Sequence, residues 1–222
     1  MLKRIAIAVA LACLPLEAVP AQPTFDHPDT HQPDRKQLTM DQDQAVRFMD
    51  DFARCVARHQ SRRAAAVLAL PYGSDQQRAA AADLAEGEDH CLGPFSGTLQ
   101  LTFNAPSLAA GMAEYFVLNP DKLADERRRH PGSFVYAPPE GVEGFGDCVV
   151  QQSSAGVEAL VRTEIASGAE RAATNALAPE LARCVLEGQT LSLDRTALRQ
   201  LLAFSLYRRV AMAPEPVPAP RH

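Results

Sequence analysis

The chain has 222 residues, 46% of them apolar, and a formal net charge of −5. That length allows more than one small core, and the acidic balance excludes a general electrostatic pull towards nucleic acid or anionic lipid. Four of the five cysteines lie beyond residue 21, which makes the redox compartment the next question.

Residues 1–21 read as a secretory signal. Lys3 and Arg4 give a positive start, 5–16 is a short and mostly apolar run, and Val19-Pro20-Ala21 supplies small residues before a cleavage after Ala21. The run is too short to cross a bilayer as a helix, so no membrane span is expected. Ala10-Leu11-Ala12-Cys13 is a loose lipobox and carries the competing expectation of an envelope protein lipidated at Cys13. Cleavage removes Lys3, Arg4 and Glu17, a net +1, and takes the charge from −5 to about −6. An even number of cysteines in an exported chain points to disulfides and to a periplasmic or secreted location.

Residues 22–38 (QPTFDHPDTHQPDRKQL) are polar and Pro-rich and read as a disordered arm. His27 and His31 have helical metal-ligand spacing, but Pro28 and Pro33 argue against the helix that spacing needs.

The rest is organised around a stretch that occurs twice. Residues 52–91 align with 145–184 at an offset of 93 without a gap, and 12 of 40 positions are identical. Four of the twelve are alanines; the telling matches are Cys55 with Cys148 and Cys91 with Cys184. Within this frame Thr39 is predicted to begin a helix, with Gln42 as capping-box partner. Phe48, Phe52, Cys55 and Val56 form its apolar stripe. A second helix runs over 61–70. Ser74 opens a third, boxed by Gln77, and the second copy repeats the device with Ser167 and Glu170. Cys91 is predicted to end that third helix. Leu101-Thr102-Phe103-Asn104 and Leu191-Ser192-Leu193-Asp194, now 90 apart, lead into a fourth helix with Asn104 or Asp194 as cap. In the second copy Leu198, Leu201, Leu202 and Leu206 predict an amphipathic helix.

The expected architecture is all-α: a tandem duplication of a roughly four-helix unit, each with an internal disulfide. Unit 1 covers 39–118, a Pro- and Gly-interrupted linker 119–144, unit 2 145–212, and a Pro-rich tail 213–222. In the linker, Arg127-Arg128-Arg129-His130 reads as a solvated charge run rather than an anion site.

Two readings compete for the cysteines. Cys55 and His59 stand one helical turn apart and His90 adjoins Cys91, a set that would suit zinc. The positions matching His59 and His90 in the second copy are Gln152 and Arg183, and arginine does not ligate metals. The cysteines recur where the histidines do not, so the expectation is two disulfides, Cys55–Cys91 and Cys148–Cys184, with no metal and no cofactor. Staples matter here because units of about 70–80 residues have marginal cores.

No catalytic residue is assigned. The chain has no nucleophile elbow, no H-E-x-x-H and no Gly-rich phosphate loop. Ser74 is a cap, and the acids Glu86, Glu88 and Asp89 have Pro179, Leu181 and Ala182 as counterparts. Together the F-x-x-C-V motif, the Ser-capped helix and the L-x-[FL]-[ND]-x-x-x-L entry cover most of 45–118 and 145–210. In these the chain resembles uncharacterised exported bacterial proteins built from a Cys-containing helical unit in tandem. The resemblance implies export and a duplicated helical fold, with no assigned activity. The functional expectation is an exported binding or interaction module, its protein or small-ligand partner at the junction of the two units in an apolar groove without titratable groups. The alternative is a periplasmic enzyme or metal-binding protein with a site near His59 and His90.

Overall fold

The computed structural model describes residues 40–95, 105–134, 141–186, 188 and 190–212. The signal, Cys13, the arm with His27 and His31, residues 101–104 and the tail lie outside them. Every regular element among the described residues is helical.

Helix α1 (Gln42–His59) starts later than Thr39. Asp41 is its cap, accepting from the Gln44 amide while Gln44 reaches back to the Asp41 N–H. The interior face, with Phe52, Ala53, Val56 and Ala57 buried, is the same for either start; the cap interactions at Asp41 mark the observed one. Gln60 breaks the chain for one residue before α2 (Ser61–Leu68). Ser74 then caps α3 (Asp75–Ala85), as predicted. Cys91 does not end α3: the helix stops at Ala85, Gly87 turns the chain at φ +83°, and Cys91 sits in a 3-10 segment, Asp89–Phe95.

Helix α4 (Ala105–Leu118) follows, then α5 (Pro120–Arg129) and a 3-10 turn Pro131–Phe134. The stretch read as a linker therefore carries a helix of its own, with Pro120 at the first helical position, where a missing N–H does no harm. The remaining helices are α6 (Val142–Gln152), α7 (Ser154–Val161), α8 (Gly168–Ala176), α9 (Ala178–Cys184) and α10 (Arg195–Met212). Cys184 ends α9, and Asp194 caps α10 by accepting from the Ala197 amide. Each half thus has one more short helical segment than the predicted four.

Two helices form the centre. In α4 Ala105 and residues 108–117 are buried; in α10 Arg199, residues 201–208 and Ala211 are buried. The predicted one-sided leucine stripe of α10 is in fact part of a helix covered nearly all round, because α4, α6 and α7 pack on different sides of it. α1 lies against α4.

Close crossings fix this packing. A Cβ on Gly111 of α4 would stand 2.5 Å from the Ala53 Cβ of α1, and a Cβ on Gly146 of α6 would run into Leu201 and Ser205 of α10. Ala53 and Gly146 are 93 apart, and Gly111 and Leu201 are 90 apart. Both crossings put a small residue against a helix that must approach closely, with the glycine on the other partner each time. Disulfides tie each half: Cys55–Cys91 with Cα atoms 5.6 Å apart, and Cys148–Cys184 at 5.7 Å.

Candidate ligand cleft

Glu114 is the one acid in α4 and Arg199 sits among leucines in α10, and both are buried. A charge in either place alone would be strongly destabilising, so each needs a partner. Arg199 grips Glu114 with two bonds, Nε to Oε1 at 2.8 Å and Nη2 to Oε2 at 2.9 Å. Its remaining N–H groups go to Glu170 Oε1, Thr163 and the backbone carbonyls of Leu160, Val161 and Thr163. These carbonyls are at and just beyond the end of α7, where the helix presents unpaired acceptors and the negative end of its dipole. Burial would lower the Arg199 pKa, but the hydrogen bonds and charge of Glu114, with Glu170 and Asp50, raise it.

From α1, Arg54 donates to Glu114 Oε2 at 2.6 Å and pairs with Asp50 Oδ2 at 2.7 Å, one turn back on its own helix. The cluster therefore holds three carboxylates, Asp50, Glu114 and Glu170, against two guanidinium groups, Arg54 and Arg199. One negative charge is in excess over the cluster, and Asp50 is the acid whose ionised form is disfavoured. Burial first, and then Glu114, push its pKa from 3.8 up to about 7, against the pull of Arg54 and Arg199.

A cleft of about 300 Å³ opens over this cluster. Ala45, Val46, Met49 and Asp50 line it from α1, Ala110, Gly111 and Glu114 from α4, and Thr196, Ala197, Arg199 and Gln200 from α10, with Ile165 and Glu170 closing another wall. Arg199 has no donor left for a ligand, so the cleft offers carboxylates beside apolar side chains. Such an arrangement fits a cation better than an anion.

The junction is thus not the apolar, charge-free groove the sequence suggested. The residues singled out in the sequence lie elsewhere. Cys55 and Cys91 are bonded, with His90 Nε2 3.5 Å from Cys91 Sγ and the His59 ring edge-on to His90 at 4.4 Å between centres. Glu88 is buried beside them, whereas Glu86 and Asp89 are exposed. Arg127 and Arg128 line a shallow depression with Phe134, Ala211 and Met212.

Sequence reasoning missed Asp50, Glu114 and Arg199. A signal was present: a single acid inside LAAGMAEYFVL, and an arginine in register with Leu202 and Leu206, are charges on strongly apolar helices, which are buried only when paired.

No protein-family model matches the chain, and no curated protein or solved structure is similar to it.

Proposed function

We propose that the protein is an exported helical binding module, a tandem duplication like the group it resembles, whose ligand is a small organic amine held in the cleft between α1, α4 and α10. Export is supported by the signal-like start and by two disulfides. Duplication is supported by caps, disulfides and helix crossings that recur at offsets of 93 and 90. The observation that carries the ligand is the charge count: three carboxylates, two guanidinium groups and a cleft beside Asp50, which shares Arg54 with Glu114. An ammonium group at Asp50 supplies the missing positive charge, and Val46, Met49 and Ile165 supply apolar contact for a short alkyl chain.

The cation binds the ionised form of Asp50, so binding tightens as pH rises through about 7. With cadaverine as the probe, calorimetry is expected to give an affinity about ten-fold higher at pH 8 than at pH 6, with protons released on binding. Asp50→Asn is expected to abolish both. Binding of equal strength in Asp50→Asn, or no binding at either pH, contradicts the reading.

A further inference from the structure

The flank of the Cys55–Cys91 disulfide holds groups the cleft does not use. Glu88 has a side chain only 7% exposed. Its Oε1 accepts from Gln60 Nε2 at 2.8 Å, but its buried Oε2 accepts no hydrogen bond among the described residues and faces His90 Nε2 at 3.4 Å. A buried carboxylate oxygen left open in this way is costly unless positive charge comes to it. The same His90 Nε2 stands 3.5 Å from Cys91 Sγ, and the ligand atoms of Cys55, His90 and Cys91 lie within 4.8 Å of one another.

These spacings have a metric meaning. A tetrahedral ion with metal–ligand bonds of about 2.0–2.3 Å has neighbouring ligand atoms about 3.3–3.8 Å apart. The edge from His90 Nε2 to Cys91 Sγ already has that length. The Cys55–Cys91 edge is too short, because the two sulfurs are bonded.

We infer that, once the Cys55–Cys91 disulfide is reduced, Cys55, Cys91 and His90 form a site for one divalent ion of the zinc class, beside the buried Glu88 carboxylate. The step balances with a dithiol as reductant. It gives two electrons and two protons to the disulfide, which becomes two thiols, and is itself oxidised to a disulfide. The thiols then release two protons as the ion binds their thiolates. His59, packed edge-on against His90, limits the rotation of that ring. The second disulfide cannot do this, since Gln152, Arg183 and Leu181 stand where the first has His59, His90 and Glu88. This inference does not rest on the amine cleft.

The test uses the mature chain, reduced with a phosphine without oxygen and titrated with Co²⁺. One Co²⁺ per chain is expected, with a thiolate-to-cobalt charge-transfer band that one equivalent of Zn²⁺ removes. The band should persist in the Cys148→Ser/Cys184→Ser variant, and the affinity should fall at least ten-fold in His90→Ala. Circular dichroism runs in parallel: if reduction loosens the helices, the ion is expected to restore them. Absence of the band, its survival unchanged in His90→Ala, its loss with the Cys148 pair, or failure of the ion to restore lost helix overturns the inference.

Discussion

Gln77 and Glu170 stand at matching places in the two halves, 93 residues apart, and show how one scaffold takes two chemistries. Both residues follow a Ser cap by three positions, and both reach back to the amide just before that cap. Gln77 Oε1 accepts from Gly73 at 2.7 Å, and Glu170 Oε2 from Ala166 at 2.9 Å. The backbone there is left-handed in each case, φ +69° at Gly73 and +59° at Ala166, so alanine bears a strain in the second half that glycine avoids in the first. The other end of the side chain differs. Gln77 Nε2 donates to the Val67 and Leu70 carbonyls at the end of α2. Glu170 cannot donate to the corresponding carbonyls of α7; Arg199 does so instead and takes Glu170 as an anion. A carboxylate at 170, where the first half has the amide of Gln77, gives the buried Arg199 an anionic partner at the edge of the cleft. The disulfide flanks teach the same lesson: the bond recurs, while the histidines and Glu88 do not.

The largest effect is expected at Arg199. Arg199→Met leaves Glu114 and Glu170 buried without a shared partner and is expected to lower stability by about 3–5 kcal/mol in urea unfolding. A loss under about 1 kcal/mol would mean that the hub is not what joins α10 to α4 and α7. Next come the staples. Cys55→Ala/Cys91→Ala and Cys148→Ala/Cys184→Ala should each cost about 2–4 kcal/mol. Because both pairs are 36 residues apart, the two losses should agree within about 1 kcal/mol.

Helix crossings sharpen the comparison further. Gly111→Ala meets the immobile Ala53 Cβ and should cost about 1–3 kcal/mol, whereas Gly146→Ala meets Leu201 and Ser205 side chains that can turn aside, and should cost less. The last effect has a distinctive sign. Folded Asp50 keeps its proton to about pH 7, while the unfolded chain releases it near 3.9. Folding is therefore favoured below pH 4, loses that contribution between about pH 4 and 7, and is level above. Asp50→Asn removes this loss, so at pH 8 the variant should be more stable by up to about 4 kcal/mol, with the gain gone at pH 4 in the same denaturation series.

Helix type, both disulfides and the Ser74 and Ser167 caps were legible in the sequence because they rest on local rules or on cysteines repeating at fixed spacing. Boundaries were less so: Thr39 and Asp41 are both good cap residue types with Gln three positions on, and residue type alone does not choose between them. The site was missed because its residues are far apart in sequence, Asp50 and Arg54 on α1, Glu114 on α4 and Arg199 on α10, and no spacing links them. The cleft residues also fall at positions where the two similar stretches differ, which a pattern of shared residues does not mark.

The central claim is that Asp50 is the cation-binding carboxylate of the cleft. Its titration by carbon-detected NMR, with the side-chain carboxyl assigned through Asp50→Asn, tests this most directly when run with and without cadaverine. The account predicts an apparent pKa near 7 that falls when the amine is present. A value near 4, or one that the amine leaves unmoved, would contradict it.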